Sequence, residues 1–208
     1  MKSSTLSRGK PRQQGWTPLQ TLLQNPGAWN ALMVAVFLLG GAWILFSRIP
    51  PAETTNGAPP PSPREGFSAP DFTLELLGDG GEVTLSDFRG QVVMVNLWAS
   101  WCPPCRAEMP AIEQVYQDFK DAGLVVLAVN TTYQDTESAA AAFVQEFNLT
   151  FPVPLDRTGA VSNRYQLRGL PSTYFVDRQG VIRSVVVGGP MSETLIRSKV
   201  EDLLAEAP

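Results

Sequence analysis

Histidine is absent from this 208-residue chain, and that absence removes a large part of enzyme chemistry. Without an imidazole there is no Ser-His-Asp relay, no Cys-His pair and no His-ligated metal site. Cysteine is almost absent too. The only two are Cys102 and Cys105, in Trp101-Cys102-Pro103-Pro104-Cys105. With no third cysteine, neither forms a long-range disulfide within the monomer. A pair this close bonds to itself, binds a metal, or cycles between dithiol and disulfide. Tetrahedral zinc needs four ligands, and the chain offers no second C-x-x-C, so no metal and no other cofactor is expected. Basic residues are scarce where phosphate binding would need them. From Arg64 onward 11 basic residues face 19 acidic ones, a balance of −8, which argues against a nucleic-acid partner.

Charge of either sign is missing from Gln13 to Ser47, and Ala31 to Phe46 is continuously apolar. Taken as a helix from 29 to 49, this segment is roughly 30 Å long, the thickness of a hydrocarbon core. Residues 1–28 form a basic tail with Lys2, Arg8, Lys10 and Arg12, which predicts a cytoplasmic N-terminus on a single-pass cell-membrane anchor. A cleaved signal peptide fits less well, because Ser47-Arg48-Ile49-Pro50 is a poor cleavage site. Residues 50–67 are rich in proline, glycine and alanine, a semi-stiff tether. A globular domain is then expected over 68–208, outside the cytoplasm.

Within that domain the periodicity predicts a first strand over 71–76, a Gly78-Asp79-Gly80-Gly81 turn and a short strand over 82–85. A buried strand follows over 91–98. The cysteines come directly after it, and Met109, Ile112, Tyr116 and Phe119 then fall on one helical face that stops at Gly123. Pro110 predicts a kink in that helix. Further expectations are a strand over 124–130, a helix over 136–147 capped by Thr136 or Asp135, and an edge strand over 151–155 interrupted by Pro152 and Pro154. A short helix over 159–165, strands over 172–176 and 181–187 joined by a 177–180 turn, and a helix over 193–205 complete the chain. The order implies a central mixed sheet with helices on both faces. A C-x-x-C in the first turn of a helix that follows a strand reads as a redox site.

Ala69-Pro-Asp-Phe72, Leu85-x-x-Phe-x-Gly90, Val95-Asn-Leu-Trp-Ala-Ser-Trp-Cys-Pro-Pro-Cys-Arg-Ala-Glu-Met-Pro110 and Gly169-Leu-Pro-Ser-Thr-Tyr-Phe-Val-Asp177 together resemble the membrane-anchored TlpA/ResA/DsbE group of thioredoxin-fold proteins, within the AhpC/TSA redoxin superfamily. The resemblance covers about residues 66–206. It implies a thioredoxin-like α/β domain with an N-terminal β-hairpin and an inserted βα element over 131–170, preceded by one transmembrane helix. It implies an extracytoplasmic thiol–disulfide oxidoreductase. Family members reduce disulfides of secreted or membrane partners, such as apocytochrome c or copper-delivery proteins, and are recharged by a membrane thiol donor.

Cys102, at a helix N-terminus, is the expected nucleophile, because the helix end favours a thiolate. Cys105, one turn on, is the expected resolving thiol, and Cys102–Cys105 the redox disulfide. Pro171 matches the family's cis-proline, which leaves the Leu170 backbone to face an extended substrate. Trp101, Pro103, Pro104, Leu170 and Pro171 are the expected substrate contacts. Glu108 matches the family's proton handler, whereas the plainer reading is a solvated carboxylate on the helix face. Thioredoxin's buried aspartate is replaced here by Asn96, which carries no proton. Arg106 either favours the thiolate or is only a solvated charge. Two rival functions are a peroxiredoxin-like peroxidase and a non-catalytic partner-binding module. The peroxidase lacks its hydroxyl three residues before Cys102, where Ala99 stands. The intact C-x-x-C weighs against the binding module.

Overall fold

The computed structural model describes residues 26–46, 59–78 and 81–206. Most of the basic tail, the end of the expected anchor at 47–49, residues 50–58 of the tether and two residues of the first turn lie outside the described residues. The chain divides into two units, Met1–Glu53 and Thr54–Pro208. In the first, Pro26–Phe46 forms one 21-residue helix, α1. Its described apolar side chains are exposed, Phe37 at 75 %. Several of its side chains, including those of residues 44–46, lie outside the described set. Among the described residues no helix is long and apolar enough to cross a membrane.

The second unit is built on β3, Val92–Trp98, every residue of which is buried. Alternation sends its side chains to two faces. Val92, Met94 and Trp98 join a core cluster with Met109, Ile112 and Val115 of helix α2 (Pro103–Phe119), Phe143 of α3 (Glu137–Glu146), and Ile196 and Val200 of α5 (Glu193–Ala205). Val93, Val95 and Leu97 join the other cluster, with Phe72, Val83, Leu85 and, around the short helix α4 (Ala160–Arg164), Val161 and Tyr165. A strand buried on both sides reads as a continuous apolar run, as it does here. Each large side chain fully buried this way contributes about 1.5–3 kcal/mol.

The sheet order is β4-β3-β5-β6, with β4 over Leu124–Asn130, β5 over Ser172–Val176 and β6 over Ile182–Val187. β3 is parallel to β4 and antiparallel to β5, so the sheet is mixed. The expected N-terminal hairpin is a separate pair, β1 (Thr73–Glu75) with β2 (Glu82–Thr84). Helix α2 is continuous past Pro110, and a 3-10 turn carries the chain to Gly123, whose φ of +100° closes it. Thr136 caps α3 by accepting the Ala139 N–H.

Residues 151–155 do not form the expected strand. They make isolated bridges, Leu155 to Asn130 on one side and Pro154 to Leu76 on the other. Ala128 N–H donates to the Pro152 carbonyl and Asn130 N–H to that of Pro154. The return bond to Ala128 would come from residue 154, which as proline has no N–H. The indole of Trp98 donates to the Ala128 carbonyl instead, at 3.0 Å. The structure also extends the domain into the expected tether. Gly66 and Phe67 exchange backbone bonds with Ile182, and the Glu65 carboxylate accepts the Val185 N–H, so β6 is covered along part of its outer edge.

Trp98→Phe removes the indole donor and part of the core volume. We expect it to destabilise the domain by about 2–4 kcal/mol, measured by denaturant unfolding of the oxidised protein.

Candidate active site

Strand register assembles the site. Trp98 pairs with Asn130 at the end of the parallel strands β3 and β4, and Leu97 pairs with Ser172 at the start of antiparallel β5. Three loops therefore meet at one end of the sheet: 99–102 after β3, 131–136 after β4, and 169–171 before β5. This is the carboxyl end of the parallel pair, where open α/β sheets place their ligands.

Cys102 is the N-cap residue of α2 and Cys105 lies in its first turn. They form a disulfide with a Cα–Cα distance of 5.3 Å. Cys102 is 2 % exposed and Cys105 is fully buried. The first two helical positions are Pro103 and Pro104, which have no N–H. Cys105 N–H is thus the first donor that can reach the cap, and it donates to Cys102 Sγ at 3.3 Å.

Cys102 lines a groove of about 350 Å³ with Trp101, Pro103, Pro104, Tyr133, Gln134, Leu167, Arg168, Gly169 and Leu170. Trp101 is 56 % exposed, and its indole N–H donates to the Gln134 carbonyl at 3.0 Å. The Leu170–Pro171 peptide is cis. The Pro171 carbonyl accepts the Gly188 N–H, whereas the Leu170 N–H and C=O have no partner among the described residues. That unpaired backbone edge sits in the groove beside Cys102.

Glu108 is not a solvated carboxylate. It is fully buried, with Oε1 accepting from Asn96 Nδ2 at 2.9 Å and Oε2 from Met191 N–H at 3.0 Å. Burial pushes its carboxyl above the ordinary value of 4.5, and the bonds from Met191 and Asn96 only partly oppose this. Asn96 Nδ2 also donates to Thr173 Oγ1 at 2.9 Å, while its Oδ1 is buried without a partner. Glu108 accepts nothing from Cys105 in this disulfide state. Gly189 is obligatory beside it, since a Cβ there would stand 2.9 Å from both Glu108 Oε2 and Pro171 Cγ. Arg106 is drawn away from the sulfurs. It pairs with Glu146 and stacks on Phe143 and Phe147, 5.2 and 5.0 Å from the ring centroids.

Asp135, which the sequence offers only as a candidate helix cap, has a larger part in the site. Its carboxylate accepts from Ser100 N–H and Oγ, both at 2.7 Å, and from Asn130 Nδ2 and Thr136 N–H, both at 2.9 Å. Burial raises its pKa, but these four bonds outweigh it and leave the carboxyl below its ordinary value. Thr131 adds a further tie to the β3 end, through its N–H to the Trp98 carbonyl. The 131–136 loop thereby fixes the 98–101 segment that carries Cys102. Position directly after a buried strand was the available signal.

Comparison with known proteins agrees with this geometry. The AhpC/TSA family model matches residues 66–185. The chain belongs to the AhpC/TSA family. It is 41 % identical over 128 residues to the thiol-disulfide oxidoreductase ResA of Oceanobacillus iheyensis, covering 60 % of this chain and 66 % of that protein. It is 39 % identical to the thioredoxin-like protein YneN of Bacillus subtilis, covering 68 % and 79 %. Among solved structures it resembles a putative thiol:disulfide interchange protein DsbE from Chlorobium tepidum. There the TM-score is 0.62 at 33 % identity, over 68 % of this chain and 99 % of that one. Within the family the chain is a thioredoxin-like member of the TlpA/ResA/DsbE group, and a thiol–disulfide oxidoreductase.

A carboxyl raised by burial binds its proton more tightly in the folded state, so folding grows less favourable as pH rises from the ordinary 4.5 through the raised value. Glu108→Gln removes that slope. Urea titrations from pH 4 upward are expected to show wild type losing stability relative to Glu108→Gln. Parallel curves would mean that Glu108 carries no displaced proton.

Proposed function

We propose that this chain is a membrane-anchored, extracytoplasmic disulfide reductase working through a Cys102/Cys105 cycle. The observation that carries the reading is the Cys102–Cys105 disulfide at the start of α2, with Cys102 in a groove beside the unpaired backbone of Leu170. In the reduced protein the Cys102 thiolate attacks one sulfur of a substrate disulfide. A Cys102–substrate disulfide forms and one substrate thiolate leaves. Cys105 then loses its proton and attacks Cys102 Sγ. This re-forms Cys102–Cys105 and releases the second substrate thiol. Two electrons pass from the enzyme dithiol to the substrate, and a membrane thiol donor returns them.

Glu108, three residues after Cys105, is the buried carboxyl nearest in sequence to the resolving thiol and takes its proton in this scheme. Asn96 keeps that carboxyl company without supplying a proton of its own. Trp101, Pro103, Pro104, Leu170 and Pro171 hold the substrate segment, with Leu170 offering backbone bonds to an extended chain. A peroxidase is disfavoured by the Ser100 hydroxyl, which donates to Asp135 and stands two residues before Cys102 rather than three.

The anchor rests on the sequence, on the charge-free run from Gln13 to Ser47 and the apolar stretch from Ala31 to Phe46. Lys2, Arg8, Lys10 and Arg12 precede that run and only Arg48 closely follows it, a bias that supports an extracytoplasmic domain. Substrates are disulfide-bearing proteins of that compartment, of the apocytochrome c or copper-delivery kind.

Cys105→Ser stalls the cycle at the mixed disulfide. Expressed in cells with its anchor, it should accumulate higher-mass adducts that collapse on reduction and vanish in Cys102→Ser. A non-reducing gel without such adducts would count against the cycle.

A further inference from the structure

The groove beside Cys102 is lined by one charged side chain, Arg168. Its other side chains are mostly apolar, and the Gln134 amide donates to the Tyr133 hydroxyl at 2.8 Å. Arg168 also lines the adjoining groove of about 230 Å³, together with Arg64 and the valines Val185 and Val187. Neither groove is lined by a carboxylate. Four arginines of the domain, Arg106, Arg157, Arg183 and Arg197, each hold a carboxylate, and Arg164 and Arg178 bond backbone carbonyls. Among the described residues no ion pair is made by Arg64 or Arg168. A domain with a balance of −8 from Arg64 onward thus keeps one cation without an ion pair, Arg168, in the groove of its reactive disulfide, and a second, Arg64, in the groove that Arg168 shares. Simple attraction to the whole domain would favour a basic partner. The local arrangement favours the opposite sign.

We infer that Arg168 is a specificity-determining residue that selects substrate segments carrying an acidic side chain close to the cysteine to be reduced. This rests on the reductase reading above. Arg168 lies two residues before Leu170, whose free backbone pairs with an extended partner. Such a partner advances about 3.3 Å per residue, so an acidic side chain within about three residues of its cysteine meets the guanidinium. The apolar walls take the flanking side chains, and the guanidinium accepts a carboxylate in a two-pronged bond. A lysine at the same place meets a like charge with no carboxylate in the groove to relieve it, which supplies discrimination as well as attraction. The partner is an extended, cysteine-bearing segment with an acidic flank.

The test uses the full chain in detergent, reduced beforehand and freed of reductant, in single turnovers. Two disulfide peptides differ only in Glu or Lys two residues from the cysteine, and bis(2-hydroxyethyl) disulfide serves as a neutral probe. The second-order rate constant for the Glu peptide is expected to exceed that for Lys by about two- to ten-fold, an exposed ion pair on one side and a like-charge contact on the other. The ratio should fall towards one in Arg168→Gln, invert in Arg168→Glu, and shrink in 1 M salt. A wild-type ratio of one or below, or one that Arg168→Glu does not move, overturns the assignment of Arg168. If wild type fails to reduce the neutral disulfide as well, the reductase reading itself falls.

Discussion

Two prolines at the start of α2 leave the Cys102 sulfur a single backbone donor from the first turn, and the rest of the site is arranged around that sulfur. An ordinary helix N-terminus presents several free N–H groups. Here Pro103 and Pro104 remove two of them, and the Cys105 N–H is the one that reaches Sγ. The nucleophile and the resolving residue are thereby joined twice, through the disulfide and through this bond. Support for a thiolate at Cys102 comes from the helix end as a whole and from the rigidity of its approach, more than from a ring of donors.

That rigidity is supplied from outside the C-x-x-C motif. Asp135 holds Ser100 through two bonds and is itself held by Asn130 and Thr136. Trp101 is pinned at its indole by the Gln134 carbonyl while its ring stays exposed. The inserted segment after β4 therefore sets the geometry of the segment before α2. On the opposite side of the helix, Glu108 is buried between Asn96 and Met191. A charged carboxylate is costly there, and the same burial raises its pKa. The two carboxyl groups are driven apart: Asp135 is pushed below its ordinary value by the bonds that anchor its loop, and burial pushes Glu108 above its own.

Much of this was legible in the sequence. The continuous apolar run of β3, the change to a helical period after Cys105, Gly123 as a stop and Thr136 as a cap each have a local cause, and each appears where that cause predicts. The failures are non-local. Residues 151–155 look like a strand, but Pro154 has no N–H to give β4, and the Trp98 indole takes the vacated carbonyl from a neighbouring strand. Glu108 stands out only through the resemblance, because helical spacing alone does not say which face Asn96 and the loop around Gly189 will cover. Asp135 and Arg168 carry no motif. They reach the cysteines only because the register of Trp98 with Asn130, and of Leu97 with Ser172, brings three loops to one end of the sheet.

The central claim is that the two sulfurs are unequal, Cys102 facing the groove and Cys105 sealed behind it. Brief alkylation of the reduced chain with iodoacetamide, followed by peptide mapping, tests this most directly. The account predicts modification of Cys102 with Cys105 left free until the protein is unfolded. Equal labelling of the two, or faster labelling of Cys105, would contradict it.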